Sequence, residues 1–318
     1  MKYKISVVIP VYNGSKFIER AIDSVLKQTV AVHELIVVND GSTDDTAEKV
    51  ARYGASVTLI SIPNGGVANA RNVGVGACTG DLIAFLDADD VWGAQKLEVQ
   101  LKAFDTYPNV GFCCCDYTYW DHDSGQMLNH FAKFANDDDF NYDQPLRLTG
   151  LPLLLRQNFV GTCSAVMFRS SVIQQTGPFD STLRQSEDYD MWIRMSLVTD
   201  FIVLSTPLFE KTTHETNLTN NFLETMVCHE AVLLKTYADD KFKARLAVFH
   251  ERYWDELAKH RFFIGDLYYE RGKRLTAFTY YIKGIASHVT RENLGLFIYH
   301  FSRKLIRTLS FGLIRNRS

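Results

Sequence analysis

DLIAFLDADD, residues 81–90, is the stretch whose reading decides the fold. Its apolar half reads as a buried strand. Its other half sets Asp87, Asp89 and Asp90 within four positions. At ~4 Å and an effective dielectric near 20, each pair of such carboxylates repels by on the order of 4 kcal/mol. A strand that ends this way needs a positive partner. A divalent metal with oxygen ligands supplies one, and such metals commonly bridge carboxylates to substrate phosphates. The alternative is a set of solvated loop carboxylates and helix caps.

Working back toward the N-terminus, the same grammar repeats. ISVVIPV, 5–11, is continuously apolar and β-branched and reads as a strand buried on both faces. Ser15 is positioned to cap a helix in which Ile18, Ala21, Ile22, Val25 and Leu26 share one face. ELIVVND, 34–40, is a second strand, and Thr43 is the expected cap of a second helix, with Asp44 and Asp45 at its positive end and Gly54 as its stop. VTLISI, 57–62, is a third strand, and GVANARNVGVGA, 66–77, a helix that Gly80 ends. Strands and helices alternating at this spacing imply a parallel sheet with helices on both faces, which binds ligands beyond the carboxyl ends of its strands. Tyr12, Asn13, Asp40 and Asp87–Asp90 all fall on that edge.

Toward the C-terminus the pattern changes. VGFCCCDYTYWD, 110–121, and CSAVMFR, 163–169, read as strands, separated by an irregular segment with the acidic run NDDDFNYDQ, 136–144. That run is either a solvated loop or a variable acceptor-facing one. SEDYDMWIRMSL, 186–197, reads as a helix with Met191, Ile193, Met195 and Leu197 mostly inward, and FIVLS, 201–205, as a last strand. Beyond about 220 the chain reads as wholly helical. Residues 261–288 suit two antiparallel helices joined near Gly272, similar to a single tetratricopeptide-like hairpin. In 297–309, Phe297, Ile298, Phe301, Leu305 and Leu309 fall on one side and Arg303, Lys304 and Arg307 on the other. Such a helix suits an anionic membrane surface, or packs on its own domain with a solvated basic face.

Composition narrows the classes. A chain of 318 residues with 46% hydrophobic content is long enough for one large domain plus an appendage, or for two domains. A net charge of −3 excludes a general nucleic-acid binder. The six cysteines form no C-x-x-C pair, so neither a zinc site nor a disulfide framework is indicated. Three in a row, Cys113–Cys115, favour a reducing cytosol. The apolar run of MKYKISVVIPVYN is too short for a signal peptide, and no run of 18 apolar residues exists. A cytoplasmic protein is expected, peripheral on the inner face of the plasma membrane where 297–309 touches it.

Four further constellations carry chemistry. Asp40, at a strand end, suits hydrogen bonds from a base or ribose, or is a turn aspartate before Gly41. In NGGVANARN, 64–72, Gly65 and Gly66 allow close backbone approach to a ligand, a helix N-terminus follows, and Arg71 suits a fork onto phosphate oxygens. The bland counterpart is a flexible turn with Arg71 on the surface. Glu187 and Asp188 open a helix, where the macrodipole favours them and where one of them suits a general base. In FEKTTHETN, 209–217, Lys211 and His214 follow the last strand, and His214 is a candidate metal ligand or an ordinary surface histidine.

Taken in order, VVIPVYN, VVNDGSTDDT, NGGVANARN, FLDADD and SEDYDMWIR resemble the motifs of a family 2 glycosyltransferase with the GT-A fold, and FRSSVIQQTGPFD resembles the segment before the last of them. The resemblance covers residues 4–216 and does not reach the helical tail. It implies an α/β GT-A fold, a Rossmann-like, mostly parallel sheet flanked by helices, and the tail's own pattern adds an all-helical C-terminal region after it. It implies a catalytic domain over 1–219, with a nucleotide-sugar half to about 116 and an acceptor half over 117–219; the helical appendage over 220–318 rests on the tail's own helical pattern. The implied reaction is inverting transfer from a nucleotide-diphosphate sugar to an acceptor hydroxyl, with UDP the expected carrier ahead of dTDP or GDP. By the resemblance, Pro10 and Tyr12 line the base pocket, Asp40 reads the base, Asn64 and Arg71 lie near ribose and diphosphate, and Asp87 faces the nucleotide and sugar. Asp89 is implied as the direct ligand of Mn²⁺ or Mg²⁺, with His214 as a further metal or diphosphate contact. Asp188 is implied as the base, with Glu187 beside it. The expected acceptor is a growing surface polysaccharide or lipid-linked glycan. A silent sugar-binding scaffold on the same fold is the alternative from another class. A dinucleotide-dependent oxidoreductase is disfavoured, because PVYNGS stands where G-x-G-x-x-G belongs. A nucleotidyltransferase also places carboxylates and metal at strand ends.

Overall fold

The computed structural model describes residues 3–122, 124–134, 146–148, 151–213 and 221–300. β1 (Ile5–Val11) is buried at every position and lies between β2 (Glu34–Asp40) and β4 (Leu82–Phe85). β3 (Thr58–Ile62) completes this side, and all three pairings are parallel. The carboxyl ends of β1, β2 and β4 therefore share one edge. Helices α1 (Ile18–Leu26), α2 (Thr46–Ala51) and α3 (Val67–Ala77) connect them.

The sheet continues beyond β4 through β5 (Val91–Trp92), β6 (Phe112–Asp121), β7 (Gln126–Asn129), β8 (Leu146–Leu148), β9 (Val166–Arg169) and β10 (Phe201–Lys211). Its order is β3-β2-β1-β4-β9-β6-β10-β5, with β7 on β6 and β8 on β10. β9 runs antiparallel to both β4 and β6, whereas β6 and β10 are parallel. The expected parallel arrangement thus holds in two blocks that one antiparallel strand joins. Helices α4 (Lys96–Thr106), α5 (Leu151–Arg156), α6 (Ser170–Thr176) and α7 (Glu187–Ser196) accompany this part.

Several local expectations are corrected. The fourth strand stops at Phe85 rather than Asp90, because residues 87–90 fold into a turn closed by Asp90 N–H on the Asp87 carbonyl, 3.0 Å. Helix α1 starts at Ile18 without a side-chain cap, and the Ser15 amide instead donates to Asp44, 3.1 Å. Leu26, at the rim of the apolar arc, is 43% exposed. Helix α2 begins at Thr46, whose amide donates to Asp44 Oδ1 at 3.1 Å, while the Thr43 amide donates to Asn13 Oδ1 at 2.8 Å. Neither helix start carries a side-chain cap on its N-cap residue; Asp44 and Asn13 instead tie the two neighbouring loops together. Gly80 does not end α3. It faces Ser6, where a Cβ would lie 2.5 Å from the hydroxyl oxygen. Helix α7 bears out its expected inward set, Met191, Ile193, Met195 and Leu197 all being buried, and it buries Tyr189 and Trp192 as well, with Asp190 paired to Arg194 at 2.6 Å.

The chain divides into two compact units, Met1–Leu154 with Asn158–Asn217, and Leu155–Gln157 with Leu218–Ser318. The second holds α8 (Phe222–Ala238), α9 (Lys243–Leu246), α10 (His250–Glu270) and α11 (Arg274–Ser287). Helices α10 and α11 form the expected hairpin, turning at Gly272, whose φ of +75° suits glycine. Their close approach uses Gly265 against the Tyr281 ring and Gly284 against the Phe262 ring. Residues 291–300 are also helical. There Leu294, Ile298 and Tyr299 are exposed, but Phe297 packs on the cluster of Ala258, Phe262, Ala277 and Tyr281. Phe297 therefore belongs to its own unit's core and not to a free apolar stripe. Phe301, Arg303, Lys304, Leu305, Arg307 and Leu309 lie outside the described residues. Among the described residues no helix is long and apolar enough to cross a membrane.

Candidate active site

The sheet edge gathers the acidic turn first, and its carboxyls have distinct environments. Asp87 Oδ1 accepts from Arg71 Nη2 at 2.8 Å, and its Oδ2 from the Thr162 hydroxyl at 2.8 Å. Burial acts to raise this carboxyl, but Arg71 and these hydrogen bonds outweigh it and hold it below the usual carboxylate range. Asp90 turns inward. Its Oδ2 accepts from the Ser164 hydroxyl at 2.6 Å and its Oδ1 from the Thr212 amide at 3.1 Å. Burial, then the neighbouring Asp89 and Asp87 charges, push the Asp90 carboxyl well above the usual carboxylate range. The repulsion apparent in the sequence is thus largely relieved within the protein itself. Asp89 sits at the corner of the turn, half-buried.

Arg71 differs from its expected role. It is 4% exposed, and besides Asp87 it donates from Nη1 to Glu187 Oε1 at 2.6 Å. Its guanidinium is committed to two carboxylates and stacks 5.7 Å from the centre of the Phe179 ring. It is a buried pin joining α3, the β4 turn and α7, not an open fork for phosphate. Asp188, one residue beyond Glu187, is only partly covered. Burial, and then the Glu187 carboxylate beside it, raise its carboxyl to about 6, while Arg71 and the Tyr189 amide pull the other way. Ser186 enters this helix at φ +66°, ψ 20°, with its hydroxyl buried and unpartnered. A non-glycine residue held left-handed costs on the order of 1–3 kcal/mol, and such strain gathers at functional sites.

The neighbouring strand ends form a second cluster. Both oxygens of Asp40 are taken by backbone, the Gly65 amide at 2.8 Å and the Gly66 amide at 2.9 Å. Asp40 therefore organises the glycine loop, which sequence alone did not show. Tyr12 is 54% exposed beside it. Pro10 is buried in β1 and backs the edge, while Asn64 is exposed, its amide packed against Gly41. Asn13, at φ +50°, ties its loop to Ser42 and Thr43.

His214 lies outside the described residues. Among those described, no three His, Cys, Asp or Glu residues stand together as a metal cage. Asp87 and Asp90 each accept from protein donors, and Asp89, half-buried at the turn's corner, is the carboxylate of the three that the resemblance assigns to a metal. One carboxylate plus substrate phosphate oxygens is a common way of holding Mg²⁺, and the hard oxygen donor fits that ion or Mn²⁺.

Thr162 and Ser164 were not singled out from the sequence. Ser164 Oγ also accepts from the Asp87 amide at 2.9 Å, so two hydroxyls, spaced i and i+2 before β9, hold both ends of the acidic turn. The signal available was hydroxyls in GTCSAV, an otherwise apolar strand entry.

A mixed sheet with a carboxylate turn at this position is the GT-A glycosyltransferase architecture. It is shared with the mannosyltransferase PcManGT of Pyrobaculum calidifontis in complex with GDP-Man and Mn²⁺, at TM-score 0.62 and 16% identity, covering 95% of this chain and 81% of that one. The chain belongs to glycosyl transferase family 2, whose model matches residues 6–177, more than half of it. An uncharacterized glycosyltransferase of Rickettsia typhi is 30% identical over 229 residues, 72% of this chain and 70% of that one. The UDP-Glc:alpha-D-GlcNAc-diphosphoundecaprenol beta-1,3-glucosyltransferase of Escherichia coli is 32% identical over 196 residues, 60% of this chain and 69% of that one.

Proposed function

We propose that this transferase moves a sugar from a UDP-sugar to a hydroxyl of a surface-polysaccharide or lipid-linked glycan acceptor, in one inverting displacement. The observation that carries it is the convergence through Arg71 of Asp87, 16 positions away, and Glu187, 116 positions away, which sets Asp188 against the acidic turn. Asp188, raised to about 6, is ionised at neutral pH yet more basic than an ordinary carboxylate. It takes the proton from the acceptor hydroxyl as that oxygen attacks the anomeric carbon. Attack from the face opposite the leaving diphosphate inverts the anomeric centre. Tyr12 and the loop held by Asp40 receive the nucleoside, with Asn64 at its rim. Asp89 would hold Mn²⁺ or Mg²⁺ together with donor phosphates, and His214 is a second proposed contact. When bound, the ion neutralises charge growing on the leaving diphosphate.

In this scheme the donor lies on residues 1–116 and the acceptor on 117–219, with 220–318 an appendage. The name of the Escherichia coli relative supports both a UDP-linked donor and a lipid-linked acceptor. A cytoplasmic site of action at the inner membrane surface fits that acceptor.

Thermal shifts with UDP, GDP and dTDP, each with and without Mn²⁺, test the donor site. Ligand at about 100 times its dissociation constant stabilises by about 2.7 kcal/mol. A metal-dependent shift with UDP is expected, and NMR of the product then reads the anomeric configuration. No shift with any nucleotide would leave the silent scaffold as the better account.

A further inference from the structure

We propose that Lys211 is a donor-binding residue that contacts the diphosphate, in the place first expected of Arg71. This rests on the nucleotide-sugar assignment of the same edge. Arg71 is unavailable, since its charge is shared by buried Glu187 and partly buried Asp87. A diphosphate arriving beside Asp87 and Asp89 adds negative charge to an edge already rich in it, so a second cation is needed close by.

Lys211 is placed for this by the fold. It ends β10, paired in register with Tyr119. The next amide, Thr212 N–H, donates to Asp90, which pins the chain against the acidic turn one residue further on. The ammonium lies 5.8 Å from the centre of the Tyr117 ring. Its charge reaches the turn: against burial it joins Arg71 in lowering Asp87, and it opposes the burial that pushes Asp90 up. Among the described residues it makes no ion pair. A half-buried cation that faces carboxylates without pairing to any of them is what an incoming anion requires. Lysine meets phosphate as a compact point charge and needs no fork geometry.

The test is calorimetric titration of the wild-type chain, Lys211→Gln and Lys211→Arg with UDP, UMP and uridine at fixed Mn²⁺. Lys211→Gln is expected to lose tenfold or more for UDP, the usual worth of a hydrogen bond to a charged group, with less loss for UMP and none for uridine. Lys211→Arg is expected to keep most of the UDP affinity. A thermal midpoint without ligand close to wild type shows that the loss is not a folding defect. UDP binding by Lys211→Gln within twofold of wild type overturns the assignment, and so does an equal loss for all three ligands. If the wild-type chain itself binds no nucleoside diphosphate, the donor site fails, and Lys211 with it.

Discussion

Arg71 and Glu187 are 116 positions apart in the chain and 2.6 Å apart in the fold. Together with Asp87 they form a buried triad with one cation and two anions. Removing one partner of such a group leaves charge uncompensated in low dielectric, at about 3–5 kcal/mol. Arg71→Met is therefore expected to lower stability by that order, read from denaturant midpoints. Arg71→Lys should recover only part, since one ammonium does not span two carboxylates as a guanidinium does. A denaturant midpoint unchanged in Arg71→Met would show that the triad contributes nothing.

As the proposed base, Asp188 carries the prediction for the acid limb of activity. A base must be ionised, so kcat/KM is expected to fall as pH drops through about 6, well above the ordinary 3.8 for aspartate. Asp188→Asn should lose ~10²–10⁴ in rate while still binding nucleotide. The stability sign runs the other way. The folded state holds this proton more tightly than the unfolded chain, so stability is lost as pH rises from 3.8 to about 6. At pH 7 the asparagine variant should thus melt higher than wild type while turning over far more slowly. A variant that melts lower and keeps its rate would remove Asp188 from the role.

Asp89 carries the metal prediction. Asp89→Ala is expected to bind UDP equally with and without Mn²⁺, whereas wild type binds it more tightly with the ion. Titrations that still separate the two conditions in the variant would move the ion elsewhere.

Thr162 tests the support of the acidic turn. Thr162→Val keeps the shape and removes the hydroxyl that donates to Asp87 Oδ2 at 2.8 Å. A hydrogen bond to a charged group is worth about 1.5–3 kcal/mol, so kcat/KM should fall at least tenfold. Thr162→Ser should restore it. Equal rates in valine and serine variants would make the contact incidental.

Lys96 gives a pH-dependent prediction that does not involve the proposed base. It is wholly buried, its ammonium 4.0 Å from the centre of the Trp92 ring and bonded to Gln100 at 2.7 Å. Burial lowers it to about 8 from 10.5. Between those values the unfolded chain holds a proton the folded one has released, so stability rises with pH across that window. The gap corresponds to about 3 kcal/mol. The stability difference between wild type and Lys96→Met should shift by that order between pH 8 and 10, in favour of wild type. Parallel stability curves for the two proteins would show that this lysine is charged throughout.

The early strands were legible because burial on both faces leaves an unbroken apolar run, as in ISVVIPV. The turn at Gly272 was legible because it needs a positive φ. The helix starts were not, since neither α1 nor α2 has a side-chain cap and Asp44 and Asn13 also reach across to the neighbouring loop. The orientation of Arg71 was not legible either. Its spacing along α3 fits a ligand or the interior equally, and Glu187 decides the matter from far along the chain. Thr162 and Ser164 stayed hidden for a related reason: hydroxyls in an apolar strand entry gain meaning only once the acidic turn lies against them.

β9 lies in the stretch proposed to serve the acceptor, yet it is laced between β4 and β6, and β6 itself runs across residue 116, the proposed boundary. The two halves are therefore not interchangeable cassettes. Recombination near residue 116 would sever ladders on both sides of β9 and part Glu187 from Arg71. New acceptor preferences in this lineage should arise by point changes in surface loops, not by shuffling of half-domains.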